Sequence, residues 1–98
     1  MNLVTLEGTV LSQPHYFYGS RTHCEHEEFT FSTPRGPVDV IDNVGIAPPV
    51  QVQPGERVQV RGEMVAREGR PPIVHWTHHD PAGRHPDGFI RLRGREYA

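Results

Sequence analysis

The stretch RVQVRGEMV, residues 57–65, decides the fold class of this chain. Val58 and Val60 alternate with polar residues, which is typical of a β-strand with one face in the core and the other in water. The alternation breaks at Gly62, where we expect a bulge that turns the strand. This segment therefore predicts a half-buried strand.

Similar strand patterns occur in four other segments, which are residues 4–18, 28–32, 38–44 and 72–78. The first is expected to be broken or bent near Gly8 and Pro14. We expect polar residues 19–26 to form a loop, and proline-rich residues 45–54 a loop or at most one short helical turn. Residues 88–92 and 95–97 predict a final hairpin. No long window carries helical periodicity, so the sequence predicts an all-β protein.

Five strands, with a short connection after the third, match the strand plan of an OB-type barrel. The predicted fold is a small five-stranded OB-like barrel with an extra C-terminal hairpin. An SH3-like barrel or a small sandwich is the alternative. A chain of 98 residues is expected to form one such domain, over residues 1–98.

The N-terminal sequence and the cysteine content limit the class of protein. Cys24 is the single cysteine, which rules out an intramolecular disulfide and a four-cysteine zinc site. The first ten residues, MNLVTLEGTV, lack a basic start followed by an apolar run, and no segment is long enough to span a membrane. We therefore expect a cytoplasmic protein without a membrane partner, or an exported one if a leader was removed.

Charge is unevenly distributed along the chain. Residues 1–49 carry two Arg against six Asp and Glu, whereas residues 50–98 carry eight Arg against six. Acidic and basic halves of two copies can attract each other, so a homodimer is one prediction.

The run IVHWTHHDPAGRHPDGF, together with GERVQVRGEMV upstream, resembles a bacterial domain family of unknown function with an HWTH-D-P signature and a later His and Gly. The resemblance extends from about His26, which opens a His-x-x-Phe pattern, and includes Asn43 after a strand. It implies an OB-like barrel and brings no activity, substrate or cofactor. Family members often carry a leader, and from the first ten residues we expect none here.

The stretch VHWTHHDPAGRHPDG, residues 74–88, holds four of the seven histidines. In a regular strand His75 and His78 face opposite sides, so both can serve one site only if the strand ends or bulges at Thr77. Asp80 begins a type I turn that folds His85 back toward His78. His79 is expected to be an exposed extra.

These residues predict a binding site, with one group of side chains for a metal ion and another for a small polar ligand. Imidazoles suit a divalent transition metal such as zinc, and the predicted metal ligands are His26, His75, His78 and His85. The residues predicted to bind a small polar ligand are Asn43, Trp76, Thr77 and Asp80. The spacing matches no established zinc motif, and the structural alternative is that these side chains hold the turn together and fill the core.

Three functions remain open at this point. The leading prediction is a non-enzymatic binding module for a metal ion or a small polar ligand. The first alternative is an OB domain that binds single-stranded nucleic acid, although a net charge of −2 argues against phosphate-dominated binding. The second is a hydrolase that uses His78 or His85 with Asp80 as acid and base.

Overall fold

The computed structural model describes residues 2–98, and within them the regular structure is eight β-strands without a helix. The strands are β1 (Leu3–Val10), β2 (His15–Gly19), β3 (Cys24–Thr33), β4 (Gly36–Asn43), β5 (Arg57–Arg67), β6 (Arg70–His75), β7 (Phe89–Leu92) and β8 (Arg95–Tyr97). The prediction of an all-β protein is confirmed. Residues 45–54 form a loop that opens with a single helical turn, in which the Ala47 N–H donates to the carbonyl oxygen of Asn43 at 3.2 Å. The final hairpin is present as β7 and β8.

The strands are joined in a continuous circuit of pairings. β1 pairs with both β3 and β5, and the order β1, β3, β4, β6, β5 leads back to β1. The pairing of β4 with β6 is parallel, and the others are antiparallel. β2 adds to β3, and β7 adds to β5. Most of the buried core residues lie on these strands.

The residues that fill the core are those that the alternation places on one face of each strand. Phe29 and Phe31 of β3 are buried, as are the valines at alternate positions of β4 and β5. The segment between β4 and β5 also contributes, because Val50 and Val52 are fully buried. The core therefore follows the two-residue period of the sequence, with additions from one loop.

The predicted first strand is two strands in the structure. β1 pairs with β5 as far as Thr9 and with β3 at Thr9 and Val10, so its partner changes just after Gly8. A Cβ at Gly8 would lie 1.7 Å from the carbonyl oxygen of Ser32, so only glycine lets β3 come this close. Residues 15–19 then pair with β3 alone, and the predicted loop 19–26 is a hairpin whose second strand begins at Cys24.

The prediction of a bulge at Gly62 is wrong. The pairing of β5 with β1 runs in unbroken register through Gly62, and the irregularity of β5 lies between Val65 and Arg67. The glycine serves close packing instead, since a Cβ there would lie 2.3 Å from the carbonyl oxygen of His75. The break in the alternation therefore marks a close backbone approach.

No helix within residues 2–98 is long and apolar enough to cross a membrane.

Candidate functional site

A cavity of about 400 Å³ lies between β3, β4 and the loop of residues 76–88, which we call the histidine loop. Its lining includes seven of the eight residues that the sequence predicted for the site, namely His26, Asn43, His75, Trp76, His78, Asp80 and His85. The eighth, Thr77, lies outside the lining and is fully buried. The predicted residues therefore meet at one cavity.

The histidine loop leaves and rejoins the sheet at almost the same point. His75 pairs with Glu63 at the end of β6, and Phe89 pairs with Arg61 at the start of β7. Both partners lie on β5, two residues apart, so the loop is a compact Ω-type loop with its ends together. This arrangement holds the loop over one end of the sheet.

Gly88 allows the two ends of the loop to come together. A Cβ at Gly88 would lie 2.1 Å from the carbonyl oxygen of Trp76 and 2.5 Å from that of Arg61. Both are backbone atoms, which cannot move aside as a flexible side chain can. The Gly88 N–H also donates to the carbonyl oxygen of His78, at 2.9 Å. A side chain at this position would therefore force the loop apart.

The chain turns sharply at Trp76, and this turn brings His75 and His78 to the same cavity. Trp76 has a φ of 57°, which is uncommon for a bulky residue and ends the extended conformation of β6. The expectation that His75 and His78 face opposite sides is therefore wrong. His75 and His78 can serve one site only if the strand ends or bulges at Thr77. β6 ends at His75, before Thr77, so this condition is met.

Aromatic rings stack along one wall of the cavity. The indole of Trp76 stacks on His85 with centroids 4.4 Å apart and planes within 3°, and on His75 with centroids 4.7 Å apart. His78 meets His85 edge to face, with centroids 5.5 Å apart. Stacking of this kind gives each ring one preferred orientation, so this wall is well defined.

Asp80 organises the turn of the histidine loop. Its carboxylate accepts hydrogen bonds from the backbone N–H groups of Ala82 (2.9 Å), His85 (2.8 Å) and Arg84. Desolvation opposes ionisation of Asp80, but these N–H donors outweigh it and hold the pKa of the carboxyl below its ordinary value. Because both carboxylate oxygens are occupied by backbone donors, Asp80 shapes the loop.

The opposite wall comes from β3 and β4. His26 stacks on Phe17 of β2, with ring centroids 5.4 Å apart. Asn43 pairs with His26 across the two strands. The side-chain oxygen Oδ1 of Asn43 accepts a hydrogen bond from the Gly45 N–H at 2.9 Å. The Asn43 amide nitrogen is therefore left to donate.

Three cavity histidines place Nδ1 against a backbone carbonyl oxygen. His26 reaches the carbonyl of Cys24 at 3.0 Å, His78 that of His79 at 2.6 Å, and His85 that of Pro86 at 2.8 Å. A carbonyl oxygen only accepts, so each Nδ1 carries the hydrogen and donates it. In the neutral imidazole, Nε2 is then left with a lone pair. The cavity thus has acceptor nitrogens on both of its walls.

The protonation state of His78 follows from its burial. Desolvation lowers the pKa of His78 below its ordinary 6.5, and the neighbouring imidazoles of His85 and His79 lower it further. His78 is therefore neutral at pH 7, with its Nε2 free to accept. His75 differs, because its Nε2 donates to the Glu63 carboxylate at 2.7 Å.

The described part of the chain contains no ready metal centre. Within residues 2–98 no group of three or more His, Cys, Asp or Glu side chains is arranged to hold a metal ion. The metal assignment of His26, His75, His78 and His85 stays a prediction. His79 is exposed, as expected, and is absent from the lining of this cavity.

A second cavity of about 440 Å³ adjoins the first along β2. It is lined in part by Phe17, Tyr18 and Arg21, and it shares His26 with the first cavity. The two cavities therefore meet at His26.

Two buried acids, Glu27 and Asp42, were not predicted from the sequence. They pair directly across β3 and β4, and they are 0% and 1% exposed. The Thr77 hydroxyl donates to Oδ1 of Asp42 at 2.7 Å, which explains why Thr77 is buried away from the cavity. A signal was present in the sequence, since Glu27 continues the alternation of Phe29 and Phe31, and Asp42 that of Val38 and Val40.

Comparison with known protein families gives a match over most of the chain. Residues 11–98 match the family described as "Protein of unknown function (DUF3465)". A search of curated proteins finds no match to the chain.

Proposed function

The chain belongs to this family of unknown function, and from that premise we propose that it is a non-enzymatic binding protein whose cavity takes a small polar ligand. The observation that carries the proposal is the convergence of four histidines, Trp76 and Asn43 on one cavity of about 400 Å³. Ligand sites in proteins are concave and combine apolar walls with a few oriented polar groups. The cavity has this composition and size.

The scaffold that we propose is a single OB-type barrel. Its support is the order of pairings, in which β1 lies between β3 and β5, and β4 runs parallel to β6. A five-stranded barrel of this type needs that closed circuit. β2 and the β7–β8 hairpin are then additions to the barrel, and the whole chain is one domain.

The ligand chemistry follows from the histidine tautomers. Because Nδ1 donates its hydrogen to a backbone carbonyl, the Nε2 atoms of His26 and His78 present lone pairs. Nε2 of His85 lies 3.8 Å from Oδ2 of Asp80. A ligand with several N–H or O–H donors satisfies such acceptors. Asn43 and Arg84, which also line the cavity, supply donors for an acceptor group elsewhere on the same ligand. We therefore propose a small, donor-rich polar molecule.

The proposal is tested by titrating isotope-labelled protein with small probes and following the indole N–H of Trp76 by NMR. Methylguanidinium and ethanolamine are the donor-rich probes, and acetate is the acceptor-only probe. We expect the first two to shift the indole resonance at lower concentration than acetate. The His78→Ala variant should weaken them roughly threefold to tenfold, as loss of one hydrogen bond does.

His79→Ala is the matched control, because His79 is adjacent in sequence, exposed, and outside the cavity lining. Equal weakening by the two variants, or no response of Trp76 to any probe, would contradict the proposal. A response to zinc alone would replace the small molecule with the alternative occupant, a divalent transition metal.

The remaining predictions are kept as outcomes of separate experiments. Binding of single-stranded nucleic acid would use the aromatic surface of Phe17 and Tyr18 with Arg21, and it predicts salt-sensitive binding of an oligonucleotide. A hydrolase predicts activity that His78→Ala abolishes. A homodimer predicts a concentration-dependent mass in solution.

A further inference from the structure

Two carboxylates face each other inside the sheet circuit. Glu27 and Asp42 are directly opposed on antiparallel strands, so their Cβ atoms are about 5 Å apart. Each points to the same side as the core residues of its own strand, and neither is accessible to solvent. This position is unusual, because Glu and Asp are almost never fully buried unless they are paired with a neutralising group.

Each carboxylate has one satisfied oxygen and one unsatisfied oxygen. Oε1 of Glu27 accepts from the Val50 N–H at 2.5 Å, and Oδ1 of Asp42 accepts from the Thr77 hydroxyl at 2.7 Å. The other two atoms, Oε2 of Glu27 and Oδ2 of Asp42, are buried without a hydrogen-bond partner in the described structure. Two acceptor-only groups cannot satisfy each other.

A single hydrogen resolves this arrangement. If one of the two acids is protonated, its O–H donates to the free oxygen of the other, and both unsatisfied atoms gain a partner. The pair then carries one negative charge instead of two. We propose that Glu27 and Asp42 share one proton at neutral pH and that release of this proton loosens the histidine loop through Thr77.

The surroundings of the pair support this assignment. Burial, helped by the nearby charge of Asp42, raises the pKa of Glu27 to about 7, against lowering by the Val50 N–H and by a hydrogen bond from Tyr16. Burial also raises the pKa of Asp42 to about 6, against a hydrogen bond from Thr77 that lowers it. Coupled acids of this kind titrate as a pair, so the remaining shared proton is released as the pH rises through about 7.

The groups that face the pair come from three other segments. β2 contributes the Tyr16 phenol, whose pKa is raised by burial, by the charge of Glu27 and by a hydrogen bond to Glu27. The segment between β4 and β5 contributes the uncharged Val50 N–H, and the histidine loop contributes the uncharged Thr77 hydroxyl. Tyr16 ionises only at high pH, so the transition near neutral pH belongs to the two acids.

Thr77 links the acids to the cavity. It lies between Trp76 and His78, which both line the cavity, while its own hydroxyl bonds to Asp42. When both acids are ionised, like charges in a dry interior repel, and the side chains must separate or admit water. Asp42 then moves against Thr77, and the loop segment that carries Trp76 and His78 moves with it.

The test uses the pH dependence of two probes in the full chain. Carboxyl ¹³C shifts of Glu27 and Asp42 report their ionisation, and amide hydrogen exchange at Thr77 and His78 reports opening of the loop. We expect the pair to hold one proton above about pH 6 and to release it as the pH rises through about 7, and loop exchange, corrected for the intrinsic pH effect, to rise with that release.

The variant Glu27→Gln keeps the shape of the side chain and supplies an N–H donor to Asp42. We expect it to remove the rise in loop exchange and to hold the loop in its low-pH state at pH 8. Glu28→Gln is the matched control, because Glu28 is adjacent, lies on the opposite face of β3 and is only half-buried. This control should leave the transition unchanged.

Three results would overturn the proposal. The first is a wild-type carboxyl titration in which both acids are already ionised at about pH 5, which needs no variant and holds even if Glu27→Gln fails to fold. The second is a loop transition that persists in Glu27→Gln, since the cavity histidines would then cause it. The third is a wild-type carboxyl titration that depends on added sodium or magnesium, since a cation would then occupy the gap.

Discussion

The indole ring of Trp76 and the imidazole of His85 stack with their planes 3° apart and their centroids 4.4 Å apart. They come from opposite ends of the histidine loop, so this contact closes the loop on itself. Trp76 is also the single tryptophan of the chain, which makes its fluorescence a specific reporter of the cavity.

Removal of the stacked imidazole should destabilise the loop. We expect His85→Ala to lower the free energy of unfolding by about 1 kcal/mol, the typical contribution of an aromatic pair, and to change the emission of Trp76 in the folded state. Urea denaturation followed by fluorescence measures both. His79→Ala, which removes an exposed ring, should do neither; an unchanged Trp76 emission in His85→Ala would show that the stack does not persist in solution.

A methyl group at Gly88 should force the loop ends apart. The new Cβ of Gly88→Ala would meet two backbone carbonyl oxygens, so we expect a loss of roughly 2 kcal/mol or more in the free energy of unfolding. Gly83→Ala is the comparison, because Gly83 has a φ of 66° but open space around it. That variant should cost only about 1 kcal/mol of backbone strain. Equal losses by chemical denaturation would argue against a pinched loop.

The carboxylate of Asp80 should protect the turn from opening. Asp80→Ala removes the acceptor of three backbone N–H groups, so amide exchange at Arg84 and His85 should accelerate. Asp87→Ala removes the acceptor of the single Asp80 N–H and should have a smaller effect. Because the pKa of Asp80 is lowered, its contribution is present above the ordinary value of 3.8 and is lost as the pH falls through the folded value. Exchange at His85 that is insensitive to Asp80→Ala would refute this role.

The buried acids should make the protein less stable as the pH rises. Their folded pKa values, about 7 for Glu27 and about 6 for Asp42, lie above the ordinary values of 4.5 and 3.8. The folded state therefore binds protons more strongly, and the stability from these groups is full below the ordinary values and is lost as the pH rises to about 7. Denaturation midpoints measured from about pH 5 to about pH 8 should decline in the wild type. The decline should be weaker in a Glu27→Gln, Asp42→Asn double variant, and an equal decline in both proteins would exclude this origin.

The histidine tautomers can be observed directly. Long-range ¹⁵N–¹H correlation should assign the hydrogen to Nδ1 in neutral His26, His78 and His85, because each Nδ1 meets a carbonyl oxygen. The exposed His79 is the internal reference and should follow the ordinary preference of free imidazole. The proposed donor-rich ligand needs free Nε2 acceptors in the cavity. Hydrogens on Nε2 would remove these acceptors and contradict the proposal.

The alternation of apolar and polar residues in the sequence was sufficient to predict most of the strands and much of the core. Phe29, Phe31, Val58 and Val60 are buried where the two-residue period places them. The same rule failed at Gly62, because a missing side chain can mark either a bulge or a close backbone approach, and the sequence does not distinguish these. The break expected near Pro14 is present, and residues 15–19 beyond it form a separate strand that pairs with β3.

For the candidate site, the sequence predicted residues that the fold brings together, and it misjudged their arrangement. The predicted residues other than Thr77 line one cavity. Their convergence depends on the left-handed backbone at Trp76, which the residue type does not favour and a local pattern does not predict. Glu27 and Asp42 were missed because charged residues are expected at the surface, and the alternation that placed them inside was followed only through apolar positions.

Period and composition are local properties, so the β-strands and the concentration of polar side chains in residues 74–88 can be predicted from the sequence. The meeting of His75, His78 and His85 with His26 at one cavity, and of two acids between β3 and β4, follows from the tertiary structure. Those contacts join residues distant in sequence. They are set by the pairing of strands and by the closing of one loop, which depend on the packing of the whole chain.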